Sequence, residues 1–305
     1  MRELSIHVTD RCNFRCQFCV WGDRLVREGG DVAAADIEVF LESNRDQGFE
    51  RVNLHGGEPT LRRDLFDVLA SVRAFGYPSV SLQTNGWALA DRAFVERLAA
   101  AGVSLFIVSV HGPTADIHDD LCGVPGGLSR ALRGIEHAAA LGCAVRTNTV
   151  VTTRNFSLLA ATVERVIAAG ASHVNISSLM PAGRAAAAGA ALMPRFDRIA
   201  PHVVAAVRVA LDRGVVATLE GFPSCAAPEL AHLCLARDDR HGHQITCLIH
   251  GVIWQNHDAY VASTCKTKGA SCAACALTGE CGGVYRPYVQ LHGWDEFQPQ
   301  VAGAA

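Results

Sequence analysis

The chain carries little charge for its length, no basic stripe, and no apolar run long enough to span a bilayer. Charged residues are 19% of its 305 and the formal net charge is −3, so neither a nucleic-acid backbone nor an acidic membrane surface has an electrostatic claim on it. The start, MRELSIHVTDRC, lacks the apolar core of a secretory signal. The most apolar later stretch, residues 199–211, is interrupted by Pro201, His202 and Arg208 and fails as a membrane span. These absences set the expectation of a soluble, cytoplasmic protein with no nucleic acid and no membrane among its partners. With 50% hydrophobic residues, the chain can bury a large core, as one big domain or a big one with a small companion.

Cysteine is abundant, at 12 residues. Disulfides are disfavoured in a cytoplasm, and short C-x2-C pairs read as ligand spacing instead. Cys12, Cys16 and Cys19 stand in C-x3-C-x2-C spacing directly after the apolar run 4–8. Soft thiolates so arranged can hold three irons of a [4Fe–4S] cluster. A three-thiolate zinc site and three unrelated buried cysteines are the competing readings. No fourth cysteine follows at similar spacing, so one iron of a cluster would keep a position for a non-protein ligand. Cys122 and Cys143, in the middle of the chain, read as ordinary buried or free thiols.

Strand-like runs at 4–8, 51–55, 79–83, 104–110, 144–151 and 173–177 alternate with helical patterns at 33–46, 61–74, 91–101, 128–141 and 156–169. Glycines at 102, 142 and 170 suit left-handed helix caps. Alternation of this kind predicts a parallel sheet of βαβ units, either doubly wound or an incomplete β/α barrel. Periodicity does not separate the two. The unusual residues fall at strand ends: the cysteine loop after the first, Gly56-Gly57-Glu58-Pro59-Thr60 after the second, Gln83-Thr84-Asn85-Gly86 after the third, Ser109-Val110-His111-Gly112 after the fourth, and Asn148 in the fifth. Polar and glycine residues at the C-terminal ends of successive parallel strands converge on one face.

CNFRCQFC followed by GGEPT resembles the radical S-adenosylmethionine (radical SAM) superfamily over roughly residues 4–180. The resemblance implies a partial (β/α)6 TIM-type barrel and an enzyme. It implies that the open iron of a cluster on Cys12, Cys16 and Cys19 chelates S-adenosylmethionine, whose reductive cleavage yields a 5′-deoxyadenosyl radical. By position, Gly56, Gly57 and Glu58 match the segment that holds the methionine amino group, and Pro59 would fix the turn. Phe18 is expected near the adenine, and Thr84, Asn85, Ser109 and Asn148 at contacts with methionine or ribose. His111 is a candidate for an acid or base toward substrate, against the reading of a turn histidine bonded to backbone. His118 and Asp119 read as helix-starting or loop-ordering.

After residues 180–191, read as a loop with a short turn of helix, a helix is expected at 196–213 and a strand at 215–220. The domain boundary is expected near 212–214: 1–213 as the barrel, and 214–305 as a small, irregular, cysteine-rich domain. Cys272-x2-Cys275-x5-Cys281 is a ligand pattern for a cluster or zinc. It resembles the auxiliary-cluster segment of radical SAM enzymes with SPASM or twitch extensions, as do Pro181-Ala-Gly-Arg184 and Gly221-Phe-Pro-Ser-Cys225. The SPASM pattern continues with a cysteine where Tyr285 stands here, so one auxiliary [4Fe–4S] cluster is expected, with Cys225 as fourth ligand and Cys265 or Cys247 as alternatives. Cys234 reads as simply buried.

The absence of a cobalamin domain ahead of the barrel and of a basic stripe argues against cobalamin-dependent methyl transfer and tRNA modification. The expectation is a radical SAM oxidoreductase or maturase acting on a peptide (crosslinking or epimerisation) or a small metabolite, with flavodoxin or ferredoxin as reductant. The alternative is a metal- or cluster-bearing regulatory module without SAM cleavage.

Overall fold

The computed structural model describes residues 2–22, 30–234 and 244–300. In chain order these form β1 (Arg2–Thr9), α1 (Ala34–Asn44), β2 (Arg51–Gly56), α2 (Leu65–Ala74), β3 (Val80–Thr84), α3 (Arg92–Ala100), β4 (Val103–Ser109), α4 (Ala115–Cys122), α5 (Gly127–Ala140), β5 (Ala144–Val150), α6 (Leu159–Ala168), β6 (His173–Ser177), α7 (Gly183–Ala188), α8 (Phe196–Asp212), β7 (Val216–Glu220), β8 (Gln244–Ile249), β9 (Val252–Trp254), α9 (His257–Tyr260), β10 (Lys266–Thr267), β11 (Val284–Tyr285) and α10 (Arg286–His292). The six strands and the helices between them lie within a few residues of their expected places. Gly102, Gly142 and Gly170 follow their helices with positive φ, as helix caps do.

One nine-stranded sheet has the order β7-β6-β5-β4-β3-β2-β1-β8-β9. From β1 to β7 each strand pairs in parallel with its successor. A doubly wound sheet reverses its strand order at a switch point, and none occurs in this run. Successive right-handed crossovers therefore stack their helices on one face, which settles the ambiguity in favour of the partial TIM-type barrel.

The two faces of the sheet differ in chemistry. Leu4, Ile6 and Val8 of β1, Val52 and Leu54 of β2, Leu82 of β3, and Phe106 and Val108 of β4 are fully buried. They share the core with Ile37, Phe40 and Leu41 of α1, Leu65 and Leu69 of α2, and Ile135 of α5. Alternate residues are polar: Ser5 pairs with Asn53, His7 with His55, Ser109 with Asn148 and Asn175 with Thr218. Because side chains alternate across a strand, this polar row is the inner face of the barrel.

The C-terminal part is built onto the main sheet. β7, beyond residue 213, extends the main sheet, and β8 joins it on the other side by pairing in parallel with β1. β9 returns antiparallel to β8, while β10 and β11 form a separate two-stranded ribbon. The expected 61–74 helix is split. Buried Arg62 donates to the carbonyls of Val8 (2.5 Å) and Val32 (2.8 Å) and pairs with Asp64 (2.7 Å), which holds the chain in a turn before α2. Among the described residues, no helix is long and apolar enough to cross a membrane.

Candidate active site

The cysteine loop leaves β1 at the C-terminal edge of the sheet. Thr9 Oγ1 donates to Asp31 (2.6 Å), and Arg11 pairs with the same carboxylate (2.6 Å), fixing where the loop begins. Phe14 N–H donates to Cys12 Sγ (3.4 Å), and Cys19 N–H to the Cys16 carbonyl (3.2 Å). Arg15 and Gln17 donate backbone N–H groups to the carbonyls of Cys122 and Leu121, both at 2.9 Å, so the loop rests on the last turn of α4. On its other side, Arg184 N–H donates to the Cys19 carbonyl (3.0 Å). Gly183 lies so close to the loop that a Cβ there would meet Val20 O, and Cys19 O at 2.6 Å.

All three thiols are partly buried. Burial pushes Cys12 up to about 12 and raises Cys19. Cys16 is lowered, first by a hydrogen bond with the Cys122 thiol and further by the charge of Arg184. Two of the three sulfurs are therefore poor thiolates on their own, the condition under which bound cations would stabilise them.

The Gly-Gly pair at the end of β2 docks against this loop. Gly57 N–H donates to Thr9 O and Glu58 N–H to Arg11 O, both at 2.7 Å. A Cβ on Gly56 would meet Thr9 O, and one on Gly57 would meet Arg11 O. The close approach that requires glycine is thus to the protein's own backbone, a reason the sequence reading did not supply.

Glu58 is fully buried. Its carboxylate accepts from Thr60 N–H (3.1 Å), Thr60 Oγ1 (2.6 Å), Thr84 Oγ1 (2.7 Å) and Asn85 N–H (2.7 Å). Burial raises its pKa, against these bonds. The carboxylate ties the ends of β2 and β3 together, and Asn85 Nδ2 reaches on to Asn13 Oδ1 of the cysteine loop (2.8 Å).

Further round the sheet, Asn148 Oδ1 accepts from Asn175 Nδ2 (2.8 Å) and Ser177 Oγ (2.7 Å), and both donors also reach Glu220 (2.9 and 3.2 Å). Sequence reading missed Asn175, Ser177 and Glu220; the polar alternation of Asn175 and Ser177 in one strand and of Thr218 and Glu220 in the next was the available signal. Phe18 is buried with its ring 4.6 Å from that of His111. His111 Nδ1 accepts from Val150 N–H (3.2 Å), its own N–H donates to His118 Nδ1 (3.0 Å), and burial holds it well below the usual histidine range. These bonds hold the His111 ring and main chain in place.

A second group at the barrel mouth was also missed. His7 Nε2 lies 2.6 Å from Asp10 Oδ1, and His250 Nδ1 lies 3.5 Å from Asp10 Oδ2. The rings of His7 and His250 are 4.7 Å apart, and Trp21 packs 4.6 Å from His7. His55, paired with His7 across the two strands, is pushed down to about 3 by burial.

Distant in sequence, Cys225, Cys272, Cys275 and Cys281 line one recess with Leu277, Trp294 and Phe297. It has about 440 Å³ of empty space, part of it open to solvent. Burial pushes Cys225 up to about 12, and the neighbouring Cys281, Cys272 and Cys275 add to the rise. Backbone N–H groups already point at two of the sulfurs, Gln300 at Cys275 (3.3 Å) and Gly283 at Cys281 (3.4 Å). Cys247 lies instead on β8 beside Ser5 and Glu3. Cys265 precedes β10 near Tyr285, and Cys234 is buried against Leu230. None of these three lines the recess.

Tetrahedral zinc with Zn–S of about 2.3 Å holds its sulfurs about 3.8 Å apart. Among the described residues, no three cysteine sulfurs all lie within 4.8 Å of one another.

Residues 6–176 match the family described as the Radical SAM superfamily. A probable GTP 3′,8-cyclase of Saccharolobus solfataricus is 33% identical over 187 residues, 60% of this chain and 58% of that protein. The chain thus spans less than two thirds of the length of such relatives. Among solved structures, Streptococcus suis SuiB bound to S-adenosylmethionine superposes with a TM-score of 0.69 at 18% identity, over 98% of this chain and 76% of that one. SuiB has also been solved with precursor peptide SuiA. Native anSMEcpe with bound AdoMet gives 0.63 at 14% identity, over 97% and 96%. These structures share the fold. With the cysteine loop, the glycine pair docked on it and the matching span of 171 residues, 6 through 176, the chain belongs to the radical SAM superfamily, enzymes that use a [4Fe–4S] cluster and S-adenosylmethionine.

Proposed function

We propose that the protein cleaves S-adenosylmethionine reductively at a cluster held by Cys12, Cys16 and Cys19, and takes a hydrogen atom from a peptide or, alternatively, a small metabolite. The observation that carries this is the docking of Gly57 and Glu58 on Thr9 and Arg11 at 2.7 Å, which sets the glycine segment against the loop bearing all three thiols. When bound, the cluster and its ligand supply a 5′-deoxyadenosyl radical from one electron and one S-adenosylmethionine, and a reductase such as flavodoxin or ferredoxin is the expected electron source.

The chain's own residues hold and shield. The backbone N–H groups of Gly57 and Glu58 are already committed, so a methionine amino group would be met there by carbonyl oxygens. Glu58 stiffens that segment through Thr84 and Asn85 rather than touching ligand. Phe18 offers an apolar ring for the adenine, and Ser109 and Asn148 face the inner side where ribose would lie. Gly183 and Arg184 brace the C-terminal end of the thiol loop through the Arg184 N–H bond to the Cys19 carbonyl.

The segment from residue 214 serves, on this reading, as an auxiliary-site extension whose four recess cysteines fit a second cluster. That cluster would be an electron acceptor or a substrate anchor. A peptide substrate is favoured because the fold shared with SuiB, solved with a precursor peptide, runs through this segment as well. The similarity to a probable GTP 3′,8-cyclase supports the small-metabolite reading.

Anaerobic reconstitution, reduction with dithionite and assay for 5′-deoxyadenosine test the central claim; no product would refute it. Changing Cys12, Cys16 and Cys19 together to alanine should abolish the product and leave about four irons per chain. Zero residual iron would remove the second cluster from the reading.

A further inference from the structure

The histidine group at the barrel mouth lies outside both cysteine sets, and its donors come from distant segments. His7 stands in β1, Asp10 just follows that strand, and His250 lies in the turn between β8 and β9. β8 pairs in parallel with β1, Leu248 opposite Ile6, and this pairing carries His250 to the first strand. One donor atom from each of the three lies within 4.8 Å of the other two. Asp10 Oδ1 is 2.6 Å from His7 Nε2, and Asp10 Oδ2 is 3.5 Å from His250 Nδ1.

Two imidazoles and a carboxylate are a donor set for zinc and other divalent first-row ions. Around tetrahedral zinc, nitrogen and oxygen ligands at about 2.0–2.1 Å stand about 3.3 Å from one another. The His250–Asp10 pair is already near that spacing, and the His7–Asp10 pair has to open by about 0.7 Å. Trp21 packs against both imidazoles, 4.6 Å from the His7 ring and 5.3 Å from that of His250. His7 is fully buried, whereas the His250 side chain is 30% exposed, which gives an ion a path from solvent.

A hydrogen-bonded pair with a second histidine resting on it is the competing account. It leaves His7 Nδ1 unexplained. That atom is buried with no hydrogen-bond partner among the described residues, as is His55 Nε2 on the neighbouring strand, and each such orphan costs about 1–3 kcal/mol. While Nε2–H donates to Asp10, Nδ1 is a bare acceptor. A metal ion on Nε2 puts the ring proton on Nδ1, making that nitrogen a donor with the His55 ring edge-on at 5.6 Å. Metal-bound histidines characteristically carry such a donor on the other nitrogen.

We propose that His7, Asp10 and His250 form a site for one divalent transition-metal ion, separate from both cysteine sets. Three protein ligands leave a fourth position for water or for an oxygen or nitrogen of substrate, the pattern of catalytic rather than structural zinc sites.

The test uses zinc as the probe and the reconstituted full chain as the protein. After incubation with zinc sulfate and desalting, zinc per chain is measured and its ligands are read by X-ray absorption at the zinc edge. Wild type should hold one zinc with a nitrogen and oxygen shell near 2.0–2.2 Å and no sulfur near 2.3 Å. His250→Asn removes one ligand at a two-residue turn, closed by the Ile249–Val252 pair, where φ is 49° and asparagine fits well. It should weaken zinc binding by at least about 10–100-fold, the loss that changing a mere outer partner of a ligand already brings. Asp10→Asn should do the same, and His232→Asn, at an exposed histidine elsewhere, should bind zinc as wild type does.

No zinc on wild type, a sulfur shell, or equal zinc affinity in His250→Asn each overturns the proposal. If His250→Asn lowers the unfolding midpoint, Asp10→Asn decides in its place, and wild-type affinity there overturns it equally. The readout is zinc, so failure to form 5′-deoxyadenosine leaves this result standing by itself.

Discussion

Replacing Gly57 with alanine tests whether the glycine pair is there for loop docking. An alanine Cβ would fall closest to Arg11 O, 2.7 Å from Arg11 C and 2.9 Å from Asp10 O. Those atoms are backbone, so relief requires moving the start of the cysteine loop or the end of β2. Either movement loosens two hydrogen bonds of 2.7 Å, each worth about 1 kcal/mol net. Overpacking adds about 1–3 kcal/mol, for a total near 3–5 kcal/mol.

With a urea m-value of about 3 kcal/mol/M, the unfolding midpoint should fall by at least about 1 M. The cysteine loop shifts with the clash, so iron retained after reconstitution should fall as well. Gly30→Ala is the control, because a Cβ there meets nothing within 4 Å and its φ is not positive; its midpoint should match wild type. A Gly57→Ala protein with the wild-type midpoint and full iron would refute the reasoning.

Three further outcomes are expected. Glu58→Gln places an amide against Thr or Asn85 donors that now meet carboxylate oxygens, and should cost about 2–3 kcal/mol in urea unfolding; an unaltered midpoint would show the carboxylate is not the tie. Cys225→Ala should lower iron per chain while Cys247→Ser and Cys265→Ser do not, because only Cys225 shares the recess; iron loss from Cys247→Ser alone would reverse that assignment. His173 is pushed down to about 4 by burial, with Arg146 and Arg51 adding to the fall. Its unfolded form, near 6.5, binds a proton that the folded form refuses, so stability rises with pH across 4 to 6.5 and is lost as pH falls through it. His173→Gln should remove about 1.4 kcal/mol per pH unit of that slope; identical pH–stability curves would show that His173 does not cause it.

Local sequence made much of the site legible. The C-x3-C-x2-C spacing is a property of one short loop, and strand and helix periods are properties of single segments. Residue type therefore marked Cys12, Cys16, Cys19, Gly56, Gly57 and Asn148 as lying at strand ends. The reasons behind several of them were not legible. Glu58 looks like a ligand contact in its motif, but its carboxylate faces Thr84 and Asn85, from the next strand. His111 stands at a strand end in sequence, and only the fold shows its atoms bonded to Val150 and His118. Cys122 looks inert, because nothing in α4's own sequence shows that Cys16 will rest on it.

The sequence by itself determined the units: six β/α repeats, a thiol loop after the first strand, and a distal C-x2-C-x5-C. Only the tertiary structure decided how they meet. The unreversed strand order made the sheet a barrel and gathered the strand ends around one mouth. Pairing of β8 with β1, more than 230 residues apart in the chain, carried the C-terminal segment back to the first strand. Folding also brought Cys225 into one recess with Cys272, Cys275 and Cys281. Backbone preferences act over a few residues and leave their period in the sequence, whereas contacts between distant segments are selected by burial and hydrogen-bond satisfaction across the whole core.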